Sequence, residues 1–160
     1  MSQQYTNELT PELAASLARP PFSAEKKAAM SDDARQTVEE REAFMREHPV
    51  VAIYRIAVDG ALTQRGGVVR AEWNGAEIAL DGGQKVSIAL VGDEVVYPDS
   101  TTARIVTGSG STFQKSGQSI ALVGSRLSNG DVIISTPQAG STLNELKGLP
   151  MDVDFLPAEG

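Results

Sequence analysis

The amino-acid sequence predicts an all-β body that follows a helical N-terminal extension. The pentapeptide Ile88–Gly92 (IALVG) recurs in full at Ile120–Gly124, and a weaker copy stands at Ile78–Gly82. Repetition at this spacing indicates one supersecondary unit used more than once, because a single unit cannot bury its apolar face alone. From residue 50 onward the apolar runs are short and glycine-rich turns separate them, which favours strands over βαβ units.

The first 49 residues have the pattern of helices. Thr10 can cap a short helix that begins at Pro11 and ends at about Ala18. Ser31 can cap a longer helix that begins with two aspartates, where the helix dipole favours negative charge. This second helix is expected to end at His48, which we interpret as a surface residue at a helix C-terminus.

The apolar stripe of the second helix is thin, so this helix buries little by itself. Two interpretations fit this pattern: a solvated leader peptide, or an arm in residues 1–48 that docks on a partner protein. The candidate docking side chains are Leu13, Leu17, Phe22, Val38, Phe44 and Met45.

The β body is predicted to begin with a strand over Val50–Ala57 and a turn at Asp59-Gly60. A second strand, Val68–Trp73, leads to Asn74-Gly75, which is a strong hairpin signal. Ile78–Leu80 would then return antiparallel to the second strand.

The two IALVG strands follow, and each leads through a polar stretch into another apolar strand, Arg104–Thr107 and then Asp131–Ile134. Asn129-Gly130 is a second tight turn. From about Gly140 the periodicity is lost. The sequence therefore predicts a helical extension over 1–49, a β domain over 50–140 and a C-terminal tail over 141–160.

Composition excludes several classes of function. The net charge of −7 argues against a nucleic-acid partner, since phosphate binding needs a basic face. No apolar run is long enough to anchor the chain in a membrane, and Met1–Leu9 lacks the layout of a signal peptide, so synthesis in the cytoplasm is expected. With no cysteine and with His48 as the one histidine, we expect no metal and no other cofactor.

No motif indicates an enzyme. Gly108–Ser111 is similar to a phosphate-binding loop, but no lysine-threonine pair and no helical pattern follow it. Asp93 and Glu94 are adjacent, and neighbours in a strand point to opposite faces. Asp152 and Asp154 could share a face, but nothing apolar encloses them to shift a pKa.

The stretch from about residue 55 to residue 140 resembles the PAAR-repeat proteins, the conical tips of contractile injection machines. In that family a turn bearing Gly-Asp is followed by Thr-Gly-Gly, and later units alternate a glycine-flanked strand with an Ile-Ala-x-x-Gly-Asp strand. The matching segments are Asp59–Thr63, Gly66–Val69, Ile88–Asp93, Ile105–Gly110 and Ser116–Ser125.

The resemblance implies a small cone with approximate threefold symmetry, in which one chain caps a trimeric spike. Its function would be to sharpen the spike of a type VI secretion system or a contractile phage tail and to help pierce the target envelope. Residues 1–48 could then bind the spike or other baseplate proteins. The alternative is a small β-domain that binds carbohydrate or a surface receptor, with Trp73, Tyr54 and Tyr97 as candidate stacking residues.

One departure from the family concerns metal. Many family members gather histidines and a cysteine near the apex to bind zinc, and none of the corresponding residues here is a good zinc ligand. The resemblance thus implies the shape without the metal, with an apex held by turn hydrogen bonds and side-chain packing. The candidate apex residues are Asp59, Gly60, Tyr97, Asp99, Ser100, Ser128 and Asn129.

Overall fold

The computed structural model describes residues 3–72, 75–80, 82–111, 113–115 and 117–157. The chain forms two compact units. The first, here called the β body, comprises Met1–Asn7, Ile53–Leu143 and Met151–Gly160. The second, here called the helical unit, comprises Glu8–Ala52 and Asn144–Pro150. This division differs from the predicted boundaries at residues 49 and 140, because both units contain residues from each end of the chain.

The helices are α1 (Pro11–Ala18), α2 (Ala24–Ala28) and α3 (Asp32–Glu47). The predicted caps of α1 and α3 are confirmed: Thr10 Oγ1 accepts from the Leu13 amide at 3.1 Å, and Ser31 Oγ accepts from the Ala34 amide at 3.2 Å. The short α2 was not predicted, since a helix this short cannot show a helical apolar period. Among the described residues, no helix is long and apolar enough to cross a membrane.

The strands are short and confirm the predicted all-β body. One antiparallel sheet has the order β10-β2-β3-β6-β7, and three two-stranded sheets pair β1 with β11, β4 with β5, and β8 with β9. The bounds are β1 Val50–Arg55, β2 Leu62–Thr63, β3 Val68–Arg70, β4 Glu77–Ala79, β5 Lys85–Ser87, β6 Glu94–Val96, β7 Thr102–Arg104, β8 Gln114–Lys115, β9 Gln118–Ser119, β10 Ile133–Ser135 and β11 Thr142–Leu146.

Three hairpins, over residues 61–69, 93–105 and 125–133, enclose the core of the β body. The second strand of each hairpin pairs with the first strand of the next, and the third hairpin pairs with the first. The pairs that join successive hairpins are Val69↔Val95, Ile105↔Leu127 and Ile133↔Thr63. All six of these side chains are buried, so the hairpins close around a shared interior.

Three evenly spaced alanines form a closed ring of backbone hydrogen bonds. The Ala57 amide donates to the Ala121 carbonyl at 3.0 Å, the Ala121 amide to Ala89 at 2.9 Å, and the Ala89 amide to Ala57 at 2.9 Å. All three residues are fully buried. This alanine ring gives the β body an approximate threefold repeat. Each alanine belongs to one of the three repeats, and it donates one hydrogen bond and accepts one.

The ring corrects the assignment of the third repeat copy. The equivalent of the two IALVG segments is Ile56–Gly60 and not Ile78–Gly82, because Ile56 stands as far before Ile88 as Ile120 stands after it. Ala79 lies exposed in β4, which pairs with β5. A structural repeat has to conserve its spacing, and the copy that begins at residue 78 is much too close to the next one.

The predicted pairing of Ile78–Leu80 with Val68–Trp73 is also wrong. The neighbours of β3 are β2 and β6, while β4 forms a separate hairpin with β5. Trp73, Asn74 and Asp81 lie outside the described residues, so the predicted Asn74-Gly75 turn does too.

The first residues of the chain belong to the β body and not to the helical extension. Tyr5 and Thr136 exchange two backbone hydrogen bonds, at 2.8 and 3.0 Å. The Asn7 side chain donates to the Val123 carbonyl at 2.8 Å and accepts from the Arg55 amide at 2.7 Å. The extension therefore begins after Asn7, and sequence periodicity could not show this because single polar residues make the contacts.

Residues 154–156 also make contacts within the β body. The Leu156 amide donates to the Gly108 carbonyl at 2.8 Å. Phe155 is buried and meets the Tyr54 ring edge-on, with 4.8 Å between the ring centroids. Asp154 accepts from the Ser111 amide at 2.8 Å, so the loop that resembled a phosphate-binding loop holds a carboxylate of the same chain.

We expect Ala89→Leu to destabilise the protein and Ala79→Leu to leave it nearly unchanged. The two alanines follow isoleucines in similar sequences, but only Ala89 is fully buried in the core, so a larger side chain there has to displace packed neighbours. Overpacking a core costs about 1–3 kcal/mol, whereas exposed substitutions stay within about 0.5 kcal/mol. Urea unfolding of the two variants measures the difference. Equal free energies of unfolding would contradict the repeat assignment.

Candidate functional site

Each of the three hairpins ends in a turn of the same type. The turns span residues 63–67, 97–101 and 127–131, and in each the first amide donates to the last carbonyl at 2.9 Å. The fourth position has a left-handed backbone, which favours glycine and admits a serine only at a cost. These positions are Gly66 (φ 88°), Ser100 (φ 70°) and Gly130 (φ 85°).

Five of the predicted apex residues lie in two of these turns. Tyr97, Asp99 and Ser100 belong to the second turn, and Ser128 and Asn129 to the third. Asp99 Oδ1 accepts from the Thr101 amide at 3.0 Å and so stabilises its turn. The Ser128 hydroxyl oxygen accepts from the Arg104 amide at 3.0 Å.

The other two predicted apex residues lie elsewhere. Asp59 and Gly60 belong to a different turn, in which the chain passes from the alanine ring into the first hairpin. The equivalent turns of the other two repeats contain Gly92 and Gly124. Asp59 Oδ1 accepts from the Ala71 amide at 3.0 Å. The first hairpin turn, residues 63–67, was not among the predicted apex turns, although its Gly66-Gly67 pair is a turn signal in the sequence.

Four polar side chains join the three turns, and we call them the turn network: Thr63, Tyr97 and Asp131, which are buried, and Asn129, which is exposed. The Tyr97 hydroxyl donates to Asp131 Oδ2 at 2.6 Å and accepts from Asn129 Nδ2 at 2.9 Å. Asp131 is 1% exposed, Thr63 3% and Tyr97 9%. The network thus brings together Tyr97 and Asn129 from the predicted set and adds two residues that sequence reasoning missed.

Both oxygens of Asp131 are engaged. Oδ1 accepts from the amides of Val132 at 2.8 Å and Arg65 at 3.2 Å, while Oδ2 accepts from Tyr97. Burial alone would raise the pKa of Asp131, but hydrogen bonds from Thr63, Tyr97 and the two amides outweigh it and hold the pKa below its usual value. The Tyr97 hydroxyl has a raised pKa, because it is desolvated and donates to the carboxylate. The site therefore holds one carboxylate and one neutral phenol.

Gly67 makes room for the tyrosine ring. A Cβ on this residue would lie 2.6 Å from Val95 Cγ1 and 2.9 Å from Tyr97 Cε1, both closer than side chains approach. Its amide donates to Thr63 Oγ1 at 2.8 Å, which fixes the threonine for its bond to Asp131. Of the Gly66-Gly67 pair, the first glycine therefore serves the turn and the second serves the packing of Tyr97.

The turn network does not fit the zinc site of the family. Its members are a phenol, a hydroxyl, an amide and one carboxylate whose oxygens already accept hydrogen bonds from two side chains and two amides, so no nitrogen or sulfur ligand is present. Within the described part of the chain, no three His, Asp or Glu side chains are placed to hold a metal ion. The hydrogen bonds of the network connect the turns directly.

The adjacent carboxylates Asp93 and Glu94 have structural partners. Asp93 Oδ2 accepts from the Leu90 amide at 2.9 Å, and Glu94 lies 3.9 Å from the Arg104 guanidinium. Burial raises the pKa of Asp93, with the Leu90 amide opposing it. Each carboxylate therefore supports a turn or a strand pair.

The predicted docking residues all lie in the helical unit. Leu13 and Leu17 are on α1, Phe22 precedes α2, and Val38, Phe44 and Met45 are on α3. Leu17, Phe44 and Met45 line a single apolar concavity, and the other three lie outside it. His48 caps α3 as predicted, with its amide donating to the Phe44 carbonyl at 2.9 Å.

Comparison with known proteins gives one finding. The family model described as the PAAR motif matches residues 59–135. The match begins at the turn that follows Ala57 and includes all three hairpins. No curated protein and no solved structure matches the chain. The matched residues contain the whole turn network.

We expect Tyr97→Phe to destabilise the β body by about 1.5–3 kcal/mol, since it removes a hydrogen bond to a buried carboxylate. Asp131→Asn is expected to destabilise it as well, and the double variant by less than the sum. Urea unfolding of the four proteins gives the coupling energy, expected at about 0.5–3 kcal/mol. Additive effects would show that the two side chains do not depend on each other.

The lowered pKa of Asp131 predicts a pH dependence of stability. A carboxyl group whose folded pKa is depressed stabilises the protein above its unfolded value of about 3.9, and the contribution is lost as the pH falls through the folded value. The free energy of unfolding of wild type relative to Asp131→Asn is therefore expected to be largest near neutral pH and to shrink toward about pH 2. Urea unfolding across this range tests it, and a difference that stays constant would contradict it.

Proposed function

Because this chain is a PAAR-repeat protein over residues 59–135, we propose that its β body is the tip of the trimeric spike of a contractile injection machine, either a type VI secretion system or a contractile phage tail. Proteins of this family are structural and typically sit on spike proteins. The tip sharpens the spike and helps it to pierce the target envelope.

The observation that carries this proposal is the alanine ring. A trimeric spike presents three identical surfaces around its axis, and a single chain can match them only if it repeats its own structure three times. The segments at Ala57, Ala89 and Ala121 do so through three equivalent hydrogen bonds of 2.9 to 3.0 Å. The hairpins that follow them repeat the same order of turns and strand pairs.

A tip has to resist force without help from a partner. Each hairpin pairs with a neighbouring hairpin on both sides. The turn network adds hydrogen bonds between the turns of these hairpins. We propose that these bonds do the work that a metal ion does in other members of the family. On this proposal the protein binds no metal and no other cofactor.

The proposed role requires no catalysis. The carboxylates Asp93, Asp131 and Asp154 accept backbone or side-chain hydrogen bonds that hold turns in place. The energy for penetration would come from contraction of the machine and not from a reaction at the tip.

The alternative, a module that binds carbohydrate or a receptor, has less support. Stacking on a sugar needs an exposed aromatic face. Tyr54 packs against Phe155, and Tyr97 is buried in the turn network. Trp73, the third candidate, lies outside the described residues.

We further propose that the helical unit is a docking arm for the spike or surrounding baseplate proteins. Three apolar side chains of α1 and α3 are gathered at one concavity of this unit, which is the arrangement expected of a binding surface. The protein would be synthesised in the cytoplasm and assembled at the tip of the spike.

We expect one copy of the protein to bind each spike trimer. The reason is that the threefold repeat lies within one chain, so a single copy occupies all three positions. Native mass spectrometry of the protein mixed with its spike protein measures the ratio. The variant Phe44→Ser, altered only in the helical unit, serves as the control and is expected to keep the ratio. Three copies per trimer would refute the proposed mode of capping.

A further inference from the structure

The helical unit has no interior of its own. None of its residues, 8–52 and 144–150, is buried, and all the buried side chains among the described residues lie in the β body. Helices in proteins owe most of their stability to packing of an apolar face. The apolar residues of α1 and α3 therefore have a vacant side on which a further element can pack.

The vacant side is a groove made of two adjoining concavities, of about 670 and 330 Å³. Both are lined by Ala18, Met45 and Pro49. Phe44 and Met45 are 45% and 36% exposed, which is high for large apolar side chains. We call this surface the helical-unit groove.

The groove is basic although the protein is acidic. Arg41 lines the larger concavity, and Arg19 and Arg46 line the smaller. Within the described part of the chain, none of these three guanidinium groups has an ion-pair partner. The one acidic lining residue, Glu42, is paired with Lys27 at 3.0 Å.

One wall of the groove is held in place by hydrogen bonding. His48 Nδ1 lies 2.8 Å from the Lys147 carbonyl oxygen, so this nitrogen donates. The imidazole also packs on the Phe44 ring, with 4.6 Å between the centroids. Phe44 therefore packs on an imidazole that a hydrogen bond holds, while its own ring stays 45% exposed.

We propose that the helical-unit groove binds an amphipathic helix of a partner protein, with an apolar face flanked by acidic residues. The apolar floor matches the apolar face of such a helix, and the three arginines match its carboxylates. On α3 the lining residues run from Arg41 to His48, which is about 11 Å of helix and therefore contacts about two turns of a bound helix. This inference rests on the proposed docking role of the helical unit and names the chemistry of its partner.

The test uses two fluorescein-labelled helical peptides about as long as α3. Both carry leucines at positions i, i+3, i+4 and i+7, with glutamates at the other positions in one peptide and lysines in the other. Fluorescence anisotropy with the full-length protein measures binding. We expect the glutamate peptide to bind, the lysine peptide to bind at least about tenfold more weakly, and added salt to weaken the binding.

Matched variants locate the site. Phe44→Ser and Arg41→Glu are expected to weaken binding of the glutamate peptide by about tenfold or more, whereas Arg126→Glu, an equal charge change on the β body, is expected to leave it unchanged. Circular dichroism confirms that each variant keeps its helices. Sedimentation of the free protein shows whether a second copy fills the groove instead.

Binding of both peptides with equal affinity, binding of neither, or an equal loss with Arg126→Glu would overturn the proposal. So would a dimer that Phe44→Ser dissociates, because the groove would then be an interface between copies of this chain. None of these outcomes affects the ratio of β body to spike trimer, so the two proposals can fail separately.

Discussion

The β body depends on the hydrogen bonding of three segments, 55–59, 87–91 and 119–123, around the alanine ring. The ring bonds are accompanied by a second set, in which the amides of Asp59, Val91 and Val123 donate at 2.9 Å to the carbonyls of the next segment. A buried backbone group without a partner is costly, so each segment requires the other two. The glycines that follow, at φ of 93° to 105°, turn the chain out of the ring into the hairpins.

The backbone of the three repeats is nearly equivalent, but their side chains are specialised. Only the second hairpin contributes a tyrosine, and only the third contributes the aspartate that accepts its hydrogen bond. The turn network is therefore formed by different side chains at the turns of three similar hairpins. Charge-assisted bonds of this kind are stronger than neutral ones, and they are stabilising in a buried site only when every member is satisfied. Among the described residues, no buried side-chain nitrogen or oxygen lacks a partner.

The sequence was sufficient for the fold class, the caps of α1 and α3, and two of the three repeat copies, since these depend on local patterns. It misled on the third copy because Ile78–Gly82 has the better letter match, while Ile56–Gly60 has the right spacing. Asp131 was missed because an aspartate after Asn129-Gly130 resembles an ordinary turn residue, and only the tertiary fold brings Tyr97 to it. The place of Asn7 in the β body likewise depends on a contact with Val123, far away in the chain.

The alanine ring also determines when the β body can fold. Its closing bonds join Ala57 to Ala121, and the segment around residue 121 is the last of the three to leave the ribosome. Structures that depend on such distant contacts form slowly, because the intervening chain has to be ordered before the contact stabilises it. Until the third segment is available, the first two expose apolar strands with unpaired edges, which are prone to aggregate. Nascent chains that stop before Ala121 therefore cannot close the alanine ring.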